Sequence, residues 1–331
     1  MKVDVIVDLS YGDCGKGKVT YDLLRKKNYT HCVRYNGGHN AGHTIFHEGK
    51  EVITHIIPAG VFFGVKSIIG PGCVVNMKKF LDELKSLKRA GVKNVHSLVK
   101  ICNNTHIITE GHLEEDGEEK KIGTTKQGTG PAYRDKYARI GHRAKTIFGA
   151  HDFCIDFYRE MFYNKKEPIV LMEGAQGFGL DIDWGDYPYV TSSHCTVGGA
   201  ILNGIPPQSI RDVYGICKPY ETYSGNKDFQ PRDDFFNVLR EIGKEYGNTT
   251  GRARQCNYLD VHSLKKAVRL NGVSHLIVNK MDILREAGRW VLRDSRKHTT
   301  HQFPTEEQFK ECLKDTFRDI EVVFSYSPEE V

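Results

Sequence analysis

The chain lacks the features that would place it in a membrane, in an oxidising compartment or along a nucleic acid. No apolar run is long enough to span a bilayer, and Met1-Lys2 leads directly into a strand-like run rather than a secretory leader. The 9 cysteines are scattered without a Cys-x-x-Cys pair, so neither a disulfide framework nor a zinc site is expected. That usage fits a reducing cytoplasm. There is no internal repeat, low-complexity tract or clear linker in the 331 residues. Lys and Arg are interspersed with Asp and Glu instead of striped, which argues against nucleic acid or a membrane as partner. The net charge of +5 is a mild excess that suits small anionic substrates.

What is present is alternation. Strand-like runs fall at 3–9, 30–33, 52–57, 67–69, 99–101, 169–172, 213–217, 275–278 and 320–324. Helical patterns fall at 77–89, 152–163, 235–246, 261–270 and 305–316. The charged stretch Glu114 to Lys121 reads as a solvated loop or hairpin. The alternation predicts an α/β fold: a single domain, residues 1–331, with a central, mostly parallel β-sheet flanked by helices.

The chain is organised around its start. The apolar run Val3 to Leu9 enters the turn Gly12-Asp13-Cys14-Gly15-Lys16-Gly17-Lys18, and a helical pattern follows. Strand, glycine loop and helix make a phosphate cradle, because glycines let backbone N–H groups approach an anion at a helix N-terminus. The spacing is that of a P-loop, yet Val19 stands where a Ser or Thr would hold Mg²⁺. Asp13 would repel phosphate unless it binds a metal or moves a proton, which places chemistry at this position. Cys14, beside two lysines, is a candidate for a lowered thiol pKa.

A second motif, Arg34-Tyr-Asn-Gly-Gly-His-Asn-Ala-Gly-His-Thr44, is a glycine-rich loop with two histidines. His39, His43 and His47 have the i, i+4 spacing of a helical zinc site. Gly37, Gly38 and Gly42 make a helix costly there, so a loop histidine acting as a general acid near phosphate is the better reading.

Together these segments resemble the signatures of the adenylosuccinate synthetase family, and the resemblance continues in family order along the chain. It takes in Ile122-Gly-Thr-Thr-Lys-Gln-Gly-Thr-Gly-Pro-Ala-Tyr133, Asp135-Lys-Tyr-Ala-Arg139, Glu173-Gly-Ala-Gln-Gly177, Asp181-Ile-Asp183, Tyr187-Pro-Tyr-Val-Thr-Ser-Ser193, Thr249-Thr-Gly-Arg-Ala-Arg254 and Asn279-Lys-Met-Asp282. The resemblance implies a ligase that joins L-aspartate to C6 of a 6-oxopurine nucleotide, with GTP hydrolysed through a 6-phosphoryl intermediate. Asp13, His43 and Lys16 would be catalytic. GTP would be bound by Gly12, Gly15, Lys16, Gly17, Lys18, Thr44, Arg254, Lys280, Asp282, Ser325 and Ser327. The purine nucleotide would meet Asp13, Asn40, Thr125, Arg139, Gln176, Thr191 and Arg252, with Arg139 reaching the neighbouring site of a homodimer. L-Aspartate would meet Thr249, Thr250, Arg252 and Arg254, whose guanidinium forks pair with carboxylates. Mg²⁺ would be held by Asp13 and the Gly42 carbonyl.

The resemblance implies IMP as acceptor, because the chain keeps Asp13, where several dGMP-using viral relatives have Ser, and keeps the guanine-reading motif that some of them lose. Departures from the family pattern hold dGMP, which those relatives use to make 2-aminoadenine DNA, as the alternative. Cys14 stands where the family usually has Glu, Gly225-Asn-Lys-Asp-Phe-Gln230 replaces a proline-containing segment lining the nucleotide site, and Ser327 replaces a glycine. The chain is shorter than the common bacterial and eukaryotic forms near residues 103–120, 150–165 and 283–303, and is closer in this to archaeal members and the viral relatives. A guanine-nucleotide switch without ligase activity is the reading from another class. The Thr-Thr-Gly-Arg and Ala-Gln-Gly segments have no place in such a switch.

Overall fold

Nine strands form one sheet in which every neighbouring pair is parallel. The computed structural model describes residues 1–148, 153–163, 165–247, 251–328 and 331. In chain order the strands are β1 (Lys2–Asp8), β2 (His31–Arg34), β3 (Lys66–Ile69), β4 (Val99–Cys102), β5 (Cys154–Ile155), β6 (Ile169–Glu173), β7 (Ile210–Cys217), β8 (His275–Val278) and β9 (Glu321–Phe324). In space they run β9-β8-β7-β1-β6-β2-β3-β4-β5. Parallel strands covered on both faces must be apolar on both, and β1 is buried from Val3 onward.

This order decides where a site can form. After β1 the chain moves out to β2 through β5, returns to β6 beside β1, and then builds β7, β8 and β9 on the other side. The direction of winding therefore reverses around β1. In open α/β sheets such a reversal opens a crevice beyond the carboxyl ends of the strands. The loops that leave β1, β2, β6, β8 and β9 at that end carry, respectively, Gly12 to Gly17, Asn36 to His43, Gly174 to Gly177, Asn279 to Asp282 and Ser325 to Ser327.

A second, four-stranded sheet pairs Tyr220–Tyr223 with Gln255–Asp260, that strand with Trp290–Asp294, and the last with Thr299–Phe303. Sequence periodicity does not mark these strands. Thr299–Phe303 is polar and mostly exposed, and it is a strand because it closes a hairpin on Trp290–Asp294. The run expected at 52–57 is instead the second strand of a hairpin, Lys50–Thr54 against His43–His47, so His43 and His47 lie on a strand and no helical zinc spacing exists.

The charged stretch from Glu114 was expected to be a loop or hairpin, but it lies largely in the helix Glu110–Glu118. Thr109 Oγ1 caps the helix by accepting from His112 N, and His112 Nδ1 accepts in return from Thr109 N. Its inner face buries His112 and Asp116. His112 Nε2 lies 3.0 Å from Asp135, and Asp116 accepts from Gly128 N at 2.8 Å. These contacts join it to the helix Thr129–Ala138. The helix expected over 152–163 is shorter. Asp152 lies outside the described residues, Cys154–Ile155 is an edge strand, and the helix spans Phe157–Phe162, where Asp156 accepts from Arg159 N.

The loops after β1 and β6 meet with no space to spare. A Cβ on Gly177 would lie 2.5 Å from the Ser10 carbonyl oxygen and 2.6 Å from both Asp8 Oδ1 and Gly12 N. Gly177→Ala should therefore destabilise the fold by about 1–3 kcal/mol, as overpacking does. Chemical denaturation measures this, and a variant as stable as the parent would contradict the close approach.

Candidate active site

The glycine loop hangs on one buried carboxylate. Asp8, 1% exposed at the end of β1, accepts from Ser10 N (3.0 Å) and Gly12 N (3.2 Å) on Oδ1, and from Cys14 N (3.1 Å) and Lys16 Nζ (2.9 Å) on Oδ2. Lys16 also donates to the Gln176 carbonyl at 2.6 Å. This lysine is buried at 4% exposure, so it organises the loop from beneath. Asp8 did not figure among the residues read as functional, and its only sequence signal is an acid closing an apolar strand. Gly12 (φ 87°) and Gly15 (φ 95°) take the left-handed backbone that the tight turn needs. Asp13 shares that region at φ 57° without being glycine, a strained position of the kind found at functional sites. Cys14 does not have the lowered pKa considered for it: burial, reinforced by Asp8, pushes the thiol well up.

Asp13 is the loop's outward-facing acid, 38% exposed, with Arg254 Nε 2.8 Å from its Oδ2. Arg254 Nη1 donates in turn to Glu245 Oε2 at 2.5 Å. Arg252 Nη1 donates to the Gly123 carbonyl at 2.9 Å, which ties its loop to the segment carrying half-buried Thr125. Asn226, from the departing Gly225–Gln230 segment, binds the same wall through Asn226 N to Ile122 O (3.2 Å) and Asn226 Nδ2 to Lys120 O (2.7 Å). Thr249 and Thr250 lie outside the described residues.

Gln176 is held at φ 55°, and both its amide oxygen and nitrogen are buried without a hydrogen-bond partner. A buried amide left unpaired costs stability unless a ligand meets it. Its backbone carbonyl is the one bound to Lys16, which puts that amide beside the loop of Asp13. Asn40 accepts from Gly38 N at 3.0 Å, and half-buried Thr191 is anchored by its N–H to the Leu180 carbonyl at 2.8 Å.

His43 lies deeper than a loop histidine would. It is 5% exposed, and a Cβ on Gly17 would come within 2.8 Å of its Cβ, so it packs under the phosphate loop. Its Nδ1 lies 2.5 Å from Glu173 Oε1, and Arg34 Nη1 donates to its Nε2 at 3.1 Å. Arg34 also pairs with Glu173 at 2.9 Å. Burial, helped by Arg34, lowers His43 to about 4. Burial alone would raise Glu173, but Arg34 and the His43 hydrogen bond outweigh it and hold the carboxyl at about 2. Gly42 and Thr44, on either side, are half-buried.

The Asn279 to Asp282 turn is docked on the phosphate loop. Asn279 Nδ2 donates to the Cys14 carbonyl at 2.7 Å. Lys18 Nζ donates to Ser325 Oγ (2.6 Å) and to the Ser327 carbonyl (2.9 Å). Burial lowers Lys18 to about 8, with Asp282 opposing the shift. Lys280, left-handed at φ 60°, donates to Glu245 (2.7 Å) and the Gly243 carbonyl (3.0 Å). Asp282 is half-buried and has no hydrogen bond or ion pair among the described residues.

Arg139 stands apart from this crevice. It caps the helix Thr129–Ala138 at φ 67°, is exposed, and is flanked by Tyr137 (64% exposed) and Ile140 (68%). Among the described residues, Asp181, Asp183 and His194 could approach a common cation. Both Asp181 oxygens are already taken by backbone N–H groups of Asp183, Trp184 and Cys195, which is loop anchoring. No helix among the described residues is long and apolar enough to cross a membrane.

The sequence profile of the adenylosuccinate synthetase family matches residues 5–169 and 159–314. An adenylosuccinate synthetase of Caldanaerobacter subterraneus is 38% identical over 338 aligned positions, covering 86% of this chain and 78% of the relative. One of Wolinella succinogenes is 37% identical, covering 86% and 80%. The fully ligated adenylosuccinate synthetase of Plasmodium falciparum superposes with a TM-score of 0.86 at 27% identity, covering 99% of this chain and 98% of that one. The cyanophage S-2L succinoaminodeoxyadenylate synthetase, bound to dGMP and dATP as an energy donor, superposes with a TM-score of 0.76. At 20% identity, over 99% and 93% of the chains, that likeness concerns the fold alone.

Three buried histidines give the fold a pH signature. Burial lowers His39 to about 3, and His43 and His106 to about 4, from an ordinary 6.5. At these three groups the unfolded chain binds more protons than the folded one below pH 6.5. This outweighs the buried Glu221 carboxyl, which burial raises to about 8, so stability falls as pH drops from 6.5 toward 4. Thermal denaturation across that window should show a steadily falling melting temperature; a flat profile between pH 7 and 5 would contradict it.

Proposed function

Because the chain belongs to the adenylosuccinate synthetase family of C–N ligases, we propose that it joins L-aspartate to C6 of IMP, with GTP as phosphoryl donor. The observation that carries this reading is the pairing of Asp13, exposed and strained at the tip of the phosphate loop, with the unpaired buried amide of Gln176 beside it. A 6-oxopurine offers what both need: an N1 proton for a base and polar edges for an amide.

The oxygen at C6 is a poor leaving group. Asp13 takes the N1 proton, charge gathers on O6, and O6 attacks the γ-phosphate of GTP. The amino group of L-aspartate then displaces phosphate from C6 of the 6-phosphoryl nucleotide. Gly15 and Gly17 present backbone N–H groups to the phosphates, with Lys18 and Thr44 around them. Gly12, whose N–H is held by Asp8, lets the loop turn, and Lys16 serves the site by bracing the loop from beneath. His43 donates to the transferring phosphoryl group through Nε2, once that nitrogen gives up the Arg34 contact and takes a proton. The approaching phosphate charge raises its proton affinity, and Glu173 stabilises the imidazolium. Thr249, Thr250, Arg252 and Arg254 receive the aspartate carboxylates, so Arg254 turns from Asp13 to substrate. Asn40, Thr125, Gln176, Thr191 and Arg252 hold the acceptor nucleotide. Lys280, Asp282, Ser325 and Ser327 frame the guanine of GTP.

Asp13 and the Gly42 carbonyl are hard oxygen donors of the kind Mg²⁺ takes, and the partly exposed Asp13 carboxylate fits that ion. Bound there, Mg²⁺ supplies neutralisation of charge on the phosphates. The exposed Arg139, flanked by exposed Tyr137 and Ile140, suits a homodimer in which it reaches the acceptor phosphate of the neighbouring subunit. A cytoplasmic enzyme fits the nine free thiols.

A second acceptor, dGMP, is favoured by one feature. The Gly225–Gln230 segment, which departs from the family pattern, is bonded into the wall that carries Thr125. IMP stands ahead because the chain keeps both Asp13 and Asn279-Lys-Met-Asp282.

Mg²⁺, GTP and L-aspartate with IMP should give a succinylated nucleotide. Product from dGMP with IMP idle would replace the acceptor, and no product from any purine monophosphate would overturn the ligase reading. Asp13→Ala should lower kcat by roughly 10²–10³, about 2.7–4 kcal/mol of barrier, while GTP still binds. Retained turnover would remove Asp13 from the base role. Changing Lys280 and Asp282 to Ala should erode the preference for GTP over ATP, read from kcat/KM for each nucleotide.

A further inference from the structure

We propose that Glu245 is a positioning residue that ties the guanine-reading turn to the reacting end of the site, an inference that rests on the ligase reading above. Glu245 is 0% exposed, and both its oxygens are in use. Oε2 accepts from Arg254 Nη1 at 2.5 Å. Oε1 accepts from Lys280 Nζ (2.7 Å), Lys218 Nζ (3.0 Å) and Tyr220 OH (2.7 Å). Two of these partners are fixed to the framework. Lys218 directly follows β7, Tyr220 opens the second sheet, and both are fully buried. The other two belong to functional turns, since Arg254 reaches Asp13 and Lys280 opens the helix that carries Asp282.

Three cations converge on one carboxylate. Without its charge they would repel one another in a medium that screens poorly, so each is held where it is by Glu245. Bonds to main-chain carbonyls reinforce the link: Arg254 N donates to the Glu245 carbonyl at 2.9 Å, and Lys280 Nζ donates to the Gly243 carbonyl at 3.0 Å. The path Lys280–Glu245–Arg254–Asp13 is thus three contacts long: two charged hydrogen bonds to Glu245 and the Arg254–Asp13 ion pair. A base that seats Lys280 differently redistributes the load on Glu245, and Arg254 moves with it. Discrimination between guanine and adenine at one end then bears on how Asp13 and the aspartate carboxylates are met at the other.

Glu245→Gln keeps the volume and one acceptor oxygen while removing the charge. It should lower the GTP-over-ATP preference in kcat/KM by about tenfold and raise the KM for L-aspartate by about tenfold, both in one variant. A merely structural role would lower the melting temperature and leave both of those quantities unchanged, and that result overturns the proposal. Cross-effects keep the test open where Glu245→Gln fails to fold. Lys280→Met, altered at the guanine end, should raise the KM for L-aspartate about threefold, and Arg254→Lys, altered at the reacting end, should reduce the GTP preference by a similar factor. Variants that lose function only at their own end overturn the coupling. Failure of the ligase reading looks different, because the parent chain then makes no product. The coupling is in that case read calorimetrically from the ratio of GTP to ATP binding in the parent and in Arg254→Lys, and an unchanged ratio overturns it.

Discussion

The Asp8 carboxylate is the constraint on which the rest of the site depends. A loop that is to offer its N–H groups to phosphate has to keep its other N–H groups occupied. Asp8 does this from below, taking three backbone donors and the Lys16 ammonium within one carboxylate. Burying such a pair is costly, and it is tolerated because every lone pair in use meets a donor. The Lys16 side chain then spans to the Gln176 carbonyl, so the loop after β1 and the loop after β6 hold each other in place. Gly177 permits the contact because nothing larger than hydrogen fits between Ser10, Asp8 and Gly12.

The same device recurs twice. Glu173 ends β6, next to β1 in the sheet, and fixes His43 while Arg34 balances its charge. Glu245 fixes Arg254 and Lys280. His43, Arg254 and Lys280, and the phosphate loop itself, thus each rest on a buried carboxylate. A low local dielectric strengthens such bonds and penalises any partner left unmatched, so the groups above them are preorganised. The Gln176 amide has no such support and is buried without a hydrogen-bond partner.

The Gly225–Gln230 segment is expected from the sequence to depart from the family pattern at the acceptor site. The Gly225–Gln230 segment is anchored at several points. Asn226 bonds to the 120–122 backbone, and Lys227 lies over the rings of Tyr11, Tyr223 and Phe229 at 4.5–5.3 Å. Lys227 also pairs with Asp186, from the loop that leads to Thr191. A segment with no proline therefore becomes a firm wall through side-chain contacts. Cys14 is a buried thiol that fills space under the loop.

The sequence by itself determined the α/β alternation, the glycine loop after the first strand, and the set of motifs that carries the family. These are local: a β-branched run, a turn that needs φ > 0 and a helical stripe are each written in a few neighbouring residues. Most of the residues named from those motifs do gather at the carboxyl ends of the strands. Tertiary structure alone decided what the acids and bases are free to do. Asp8, Glu173 and Glu245 look no different in sequence from surface carboxylates, and for the last two the decisive partners lie far along the chain: Arg34 is 139 residues from Glu173, and Lys280 is 35 from Glu245. Burial and partner choice set whether Lys16 faces substrate or framework, and whether His43 is a loop histidine or one locked beneath the loop. The second sheet was invisible for a related reason, since Thr299–Phe303 is a strand only by virtue of the hairpin partner it meets.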